Sequence, residues 1–230
     1  ELEKEKITHI FVTHTHKDHS PAAKKLHKLT KAPIYGFGKH PKNFNKELSF
    51  VEEGIDYDFS PTINIKDNEI FKGKNWTIRA IHTPGHTSNH ICYELIEERV
   101  LFSGDHLMGW STTVIVPPDG NMSDYLESLN KLLNFSFNIC WPTHGPPIQN
   151  VANFIKSIIK HRIRREKQIL KTLEEKDNIT EIVKVLYKDK DPALYPAASL
   201  STLAHLISLV KKGQVISDKK ITLSSKFKIV

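Results

Sequence analysis

Between Ile7 and Thr13 the chain reads ITHIFVT, with Ile7, Ile10, Phe11 and Val12 facing both ways along an extended backbone, as a parallel strand buried on both faces would. The polar stretch THTHKDHS follows. Ser20-Pro21 then forms an N-cap and first-turn pair and predicts a helix over PAAKKLHKLTK. Strand, polar loop and helix make a unit whose strand C-terminal end commonly carries a site. APIYGF predicts a short strand, and residues 40–60 predict an irregular connection. NWTIRAIHT, HICYELI and RVLFSGD predict three more strands. SDYLESLNKLLNF predicts a helix with Leu126, Leu129, Leu132 and Leu133 on one face, and FNICWPTHG a strand that ends in a loop.

At Asn150 the period becomes helical. Val151, Phe154, Ile155, Ile158, Ile159, Ile163, Ile169, Leu170 and Leu173 recur along one long helix. TEIVKVLYKD and SLSTLAHLISLVKK predict two shorter helices, the second closed by Gly213 at C′. QVISDKKITLSSKFKIV predicts a two-stranded hairpin. Helix, helix, hairpin is the outline of a winged helix. The chain therefore divides into 1–149, an α/β unit, and 150–230, a helical winged-helix-like unit.

Charge follows the same division. Residues 151–230 hold 17 Lys+Arg against 8 Asp+Glu, whereas residues 1–150 hold 16 against 18. A basic segment of that kind attracts polyanions, and a solvated face is its plainer reading. No apolar run reaches the roughly 20 residues of a membrane span. Cys92 and Cys140, far apart in apolar surroundings, read as buried free thiols in a reducing, cytoplasmic setting.

Four loops carry candidate chemistry. In HTHKDH, His14 and His16 alternate and can face the same way, while Asp18 and His19 lie on the following turn. Thr83-Pro84-Gly85-His86-Thr87, Ser103-Gly104-Asp105-His106 and Pro142-Thr143-His144-Gly145-Pro146 each place a potential ligand just past a strand. Gly or Pro beside each ligand lets the backbone turn sharply. Ligand residues at four strand ends converge on one sheet edge, which points to metal rather than to surface polarity. Imidazole suits zinc, iron and other borderline ions, and carboxylate tolerates harder ones.

In the order HxHxDH, His, Asp, His, the chain resembles the metallo-β-lactamase superfamily. That resemblance implies an αββα sandwich. It also implies His14, His16 and His86 on a first metal and Asp18, His19 and His144 on a second, with Asp105 bridging; all seven positions are filled. Two divalent ions, zinc foremost with manganese or iron as alternatives, would lie about 3.5–4 Å apart and activate a bridging hydroxide. Asp18 and Asp105 would be the catalytic carboxylates, Asp18 orienting the hydroxide. A bridging Asp105 resembles glyoxalase II-type thioesterases and phosphodiesterases rather than true β-lactamases.

GWSTTVIVPPDG, between Asp105 and the leucine-rich helix, reads as a substrate rim. With HRIRREKQIL and the helical tail it resembles the β-lactamase-like protein 2 family, whose mitochondrial member acts on single-stranded RNA. The leading expectation is therefore a phosphodiesterase or endoribonuclease on single-stranded RNA, bound through the basic tail. The alternative is a glyoxalase II-like thioesterase or other small-ester hydrolase. Trp110 and Tyr125 are the stacking candidates near the rim. His82 and His90, which flank His86, are candidates to support it; His106, after Asp105, is a candidate to face substrate, with a structural place its plainer reading. His9, His27, His40, His161 and His205 read as structural or exposed.

The resemblance also implies several strands before HxHxDH, where thirteen residues stand. The expectation is an N-terminally truncated domain, or a sheet completed by another chain, with an open strand edge, an uncovered core face and reduced stability.

Overall fold

The structure, a computed structural model, describes residues 5–41 and 54–230. Most of the connection expected over 40–60 falls outside the described residues. Ile10–Phe11 (β1) leads through His/Asp-bearing backbone into Pro21–Thr30 (α1), then Ile34–Gly36 (β2) and Ile63–Asn64 (β3). These strands form a parallel sheet in the order β1-β2-β3. A second sheet runs Ile70–Lys72 (β4), Thr77–His82 (β5), Ile91–Leu95 (β6), Val100–Gly104 (β7), Ile139–Pro142 (β8) and Ile148–Gln149 (β9), in sequence order. It is antiparallel except where β7 meets β8. Helix α2 (Met122–Leu132) supplies the crossover that this one parallel pair requires.

Alternation along the strands sorts the chain into layers. Ile10, Val12 and Ile34 turn to Ala23 of α1. Tyr35, with Phe11 and Phe37 packed against it, meets Ala80, Ile91 and Tyr93 between the sheets. Ile81, Cys92, Leu101 and Cys140 point the other way, onto Tyr125, Leu129 and Leu132 of α2 and onto Val151 and Ile155. Helix, sheet, sheet and helix is the αββα sandwich the sequence implied. Both cysteines are free and buried, and burial pushes the Cys140 thiol up to about 12.

Among the described residues β1 pairs with β2 alone, so its other edge carries no partner strand. Phe102 and Trp141, opposite each other on β7 and β8, are 41% and 48% exposed. They lie on the same face as Tyr93, which the small sheet covers.

Val151–Leu173 (α3) starts from Asn150, whose φ is 52°, and runs 23 residues. Its first half joins the sheet's core through Val151, Ile155 and Ile158, and its end joins a separate core through Ile169 and Leu173. Ile179–Leu186 (α4), Tyr195–Lys211 (α5) and the antiparallel hairpin Val215–Ser217 (β10) and Phe227–Ile229 (β11) complete that second core. Gly213, at φ 70°, closes α5 with Gly213 N–H donating to Val210 O and Gln214 N–H to Leu209 O, the paired bonds of a Schellman cap.

One local expectation is corrected, and two features go beyond the sequence reading. Ser20 precedes α1 but does not cap it with its side chain: its hydroxyl donates to Asp56 Oδ2 at 2.7 Å, tying the His/Asp loop to residue 56. Strands β3, β4 and β9 are short, and the exposed Ile63 and Ile70 carry no readable alternation. Pro192–Lys211 is long and apolar enough by length and composition to cross a membrane, but Leu203, Leu206 and Leu209 are wholly buried in the second core.

Candidate metal centre

The loops after β1, β5, β7 and β8 meet at one edge of the sandwich. His16 forms an isolated bridge with Ile55, Lys17 N–H donates to Gly54 O and Asp56 N–H to Thr15 O, so a second chain segment pins the HxHxDH turn. The His86 turn depends on Gly85 at φ 139°, where a Cβ would stand 2.4 Å from Tyr125 Cα on α2. The His144 loop depends on Gly145 at φ 91°, where a Cβ would meet Gly109 Cα at 2.9 Å. Gly109 N–H donates to His144 O at 2.9 Å, which fastens the rim to that loop.

His14, His16, His86 and Asp105 offer ligand atoms within 4.8 Å of one another, and so do Asp18, His19 and His144. His16 Nδ1 lies 3.0 Å from both His14 Nε2 and His86 Nε2. One N–H cannot serve three converging ring nitrogens, but an ion can. Zinc–nitrogen bonds of ~2.0–2.1 Å at tetrahedral angles separate nitrogens by about 3.3 Å. Asp105 stands between the two groups. Its Oδ2 is 3.6 Å from His86 Nε2 and 3.4 Å from His19 Nε2, and its Oδ1 is 3.6 Å from His144 Nε2. Asp18 Oδ2 lies 3.4 Å from His19 Nε2 and 3.3 Å from His144 Nε2. His19 Nε2 and Asp105 Oδ1 are buried with no hydrogen-bond partner. Buried polar atoms without partners are costly, and a cation between them would satisfy both. The residues present fit a pair of divalent ions.

Electrostatics favour neutral imidazoles. Burial, then neighbouring imidazoles, hold His14 well below its usual range, and burial brings His16 down to about 3. Burial also lowers His86. For Asp105, burial alone would raise the carboxyl, but the interaction with His19, 3.4 Å away, and with the other surrounding imidazoles outweighs it and lowers it. Ionised carboxylate and unprotonated imidazole are the forms that bind metal.

Outer contacts orient the set. His86 Nδ1 donates to Val114 O at 2.8 Å, which turns Nε2 inward. His90 Nε2 accepts from Asp105 N–H at 3.2 Å while its Nδ1 meets Thr83 Oγ1 at 2.9 Å. His82 Nε2 meets Ser88 O at 2.9 Å, supporting the turn rather than a ligand. Sequence reasoning missed a buried network here: Thr15 Oγ1 meets His40 Nδ1 at 3.0 Å, Asn89 Nδ2 donates to Thr15 Oγ1 at 3.1 Å, and Asp119 Oδ2 accepts from Ser88 N–H at 3.0 Å. It joins residues distant in sequence, so no local pattern marks it.

Trp110 is 68% exposed and stacks on His144 with ring centroids 6.1 Å apart and planes 10° apart, so it does stand at the rim. Tyr125 does not: it is fully buried and its hydroxyl donates to His106 O. His106 is likewise fully buried against Tyr125 and faces no substrate. Helix α2 turns Tyr125 into the core, and His106, in the loop after β7, takes the plainer structural place by packing against it there. Beside His16 and His86 a cavity of about 220 Å³ is walled by Gly54, Ile55, Thr87, Val114, Val116 and Asp119.

Comparison with known proteins agrees with this geometry. Residues 1–144 match the metallo-beta-lactamase superfamily, and residues 179–222 match the beta-lactamase associated winged helix domain. A beta-lactamase-like protein 2 homolog of Caenorhabditis elegans is 31% identical over 215 residues, 91% of this chain and 67% of the relative. An atrochrysone carboxyl ACP thioesterase of Cryptosporiopsis sp. is 30% identical over 74% of this chain, which spans about half of that relative, 46%. A metallo-beta-lactamase family protein of Thermus thermophilus shares the fold with a TM-score of 0.78 at 21% identity, over 97% of this chain and 80% of that one. The chain belongs to the metallo-beta-lactamase superfamily of hydrolases and carries the winged helix domain associated with it.

Proposed function

We propose that the chain hydrolyses an ester or thioester carbonyl at a centre of two divalent ions, in a superfamily whose members typically bind such metals. In this reading His14, His16 and His86 hold one ion, Asp18, His19 and His144 hold the other, and Asp105 is shared. Zinc suits this mixed imidazole–carboxylate set best. Two ions so held supply a water acidified toward neutrality and an electrophile for the carbonyl oxygen.

The observation that carries the choice of substrate is the cavity beside His16 and His86. At about 220 Å³ it is walled by Ile55, Val114 and Val116, includes the carboxylate residue Asp119, and has no lysine or arginine among its described lining residues. Pockets for drug-sized molecules run ~300–1,000 Å³. A smaller, mainly aliphatic space holds a short acyl group and gives a phosphate backbone no counter-charge. Val114 and Ile55 bind the acyl chain and exclude water behind it. Asp18, 61% exposed by its side chain, would hold its ion through Oδ2, which leaves Oδ1 to orient the attacking water and take its proton. Trp110 lies over His144 on the opposite side and flanks the leaving group.

The second reading is cleavage of single-stranded RNA, favoured by one observation: the excess of 17 Lys+Arg over 8 Asp+Glu in residues 151–230. The boundary near residue 150 would then separate a catalytic unit from a nucleic-acid-binding one. Metal analysis with parallel assays on a short acyl thioester and a single-stranded RNA oligonucleotide, using wild type and His14→Ala, decides between them. Zinc-dependent thioester turnover lost in His14→Ala is the expected result. Salt-sensitive RNA cleavage that requires His14, without thioester turnover, overturns it.

A further inference from the structure

We infer that Arg162 is a positioning residue through which the C-terminal helices hold the substrate rim against His86. It sits mid-way along α3 and is 3% exposed, a depth at which a cation is rarely kept without a carboxylate. Among the described residues it has no ion pair with Asp or Glu. Its Nη2 donates instead to Thr113 O, and its Nη1 to Ser201 Oγ on α5 at 3.4 Å. The guanidinium also lies 5.4 Å from the ring centroid of Tyr125 on α2. One side chain thus ties α3 and α5 to the rim and to the helix that backs the His86 turn.

The destination of the Nη2 bond gives it meaning. Thr113 and Val114 are the two residues that meet the outer nitrogen of His86: Thr113 Oγ1 at 3.2 Å and Val114 O at 2.8 Å from Nδ1. Val114 also walls the cavity beside His86. A charge anchored on α3 therefore fixes the peptide whose neighbour sets which nitrogen of His86 faces the site. Without it, Thr113 O is buried with no donor, the segment relaxes, and both the imidazole and the cavity wall lose their reference. A well-packed apolar residue would fill this position without the cost of a lone buried cation. The basic helix is in this respect part of the site's scaffold as well as a charged surface.

This rests on the metal reading above, so the test reads the metal rather than turnover alone. Zinc affinity of the full chain, measured by competition with a chromogenic chelator, is compared for wild type, Arg162→Met, Arg162→Lys and Ile158→Ala. Ile158 lies on the same helix, one turn before Arg162, and is buried in the sheet's core, where its side chain packs but has no hydrogen-bonding group. Arg162→Met is expected to weaken the tighter zinc site by roughly 10–100-fold, the range for loss of an outer-sphere support, and to raise KM for the thioester. Arg162→Lys, which keeps a cation and a donor, is expected to recover part of that loss, and carries the test if Arg162→Met does not fold. Ile158→Ala is expected to lower the melting temperature with zinc affinity intact. Unchanged affinity in the Arg162 variants, or an equal loss in Ile158→Ala, overturns the link. A wild-type chain that takes up no zinc overturns the metal reading itself, a result distinct from either.

Discussion

The two halves of the ligand cluster are built differently. The half formed by His14, His16, His86 and Asp105 is enclosed, with His14 2% and Asp105 6% exposed, and its members are braced from behind by Thr13, Val114 and His90. The half formed by Asp18, His19 and His144 opens outward, with Asp18 61% and His144 30% exposed by their side chains. Its shelter on the solvent side is Trp110. Enclosure and outer hydrogen bonds fix ligand geometry, whereas exposure lets ligands and water exchange. The first half is thus built as a preformed holder and the second as an adaptable one, on the solvent side.

Asp105→Ala strikes both halves and is expected to have the largest effect, a fall in kcat/KM of roughly 10²–10³-fold or more, as for loss of a preorganised charged group. A metal-loaded Asp105→Ala protein with near-wild-type turnover would erase its place between the halves. Next, His14→Ala is expected to abolish the tighter of two zinc-binding steps, while Asp18→Asn weakens only the looser one by about 10–100-fold. Titration calorimetry that shows the reverse order would invert the comparison. Acidification sharpens it further. His14, His16 and His86 are all lowered by burial, His16 to about 3, so His16 stays unprotonated at pH 5 and the other two are biased toward the neutral form. Zinc content at pH 5 is expected to stay close to one tight equivalent. For folding the sign runs with pH. A group with a folded pKa of about 3, such as His16 or the buried His205, takes up a proton on unfolding from about pH 6.5 downward. Stability of the metal-free chain is therefore greatest above that value and declines towards pH 3, and His205→Leu is expected to flatten the decline in urea titrations. The smallest effect belongs to Trp110→Ala, a KM increase of about fivefold or less, the scale of one exposed aromatic contact.

Much of the site was legible because its chemistry is local. HTHKDH, TPGHT, SGDH and PTHGP each join a ligand type to a turn former after a strand, and the structure brings all seven residues together. Trp110 was also legible, since the rim segment between two ordered elements had to be near them. Tyr125 misled because its neighbours in SDYLESLNKLL alternate at helical spacing, and a one-residue difference in phase decides between rim and core. Arg162 was present in HRIRREKQIL but read only as charge. Nothing local separates a buried arginine from its solvated neighbours when its partner is a carbonyl forty-nine residues earlier. The winged-helix outline was legible from the periods of α4, α5 and the hairpin, whereas the short strands β3 and β4 were not, because their exposed isoleucines leave no pattern.

Helix α3 has a consequence for how the molecule comes apart. About 35 Å long at 1.5 Å per residue, it gives its first turns to one core and its last to the other. A continuous backbone ladder cannot melt at one end of such a strut without unloading the packing at the other. The two cores should then behave as one cooperative unit of unfolding, with amide protons of Ile155 and Ile169 exchanging at the same slow rate rather than as separate domains.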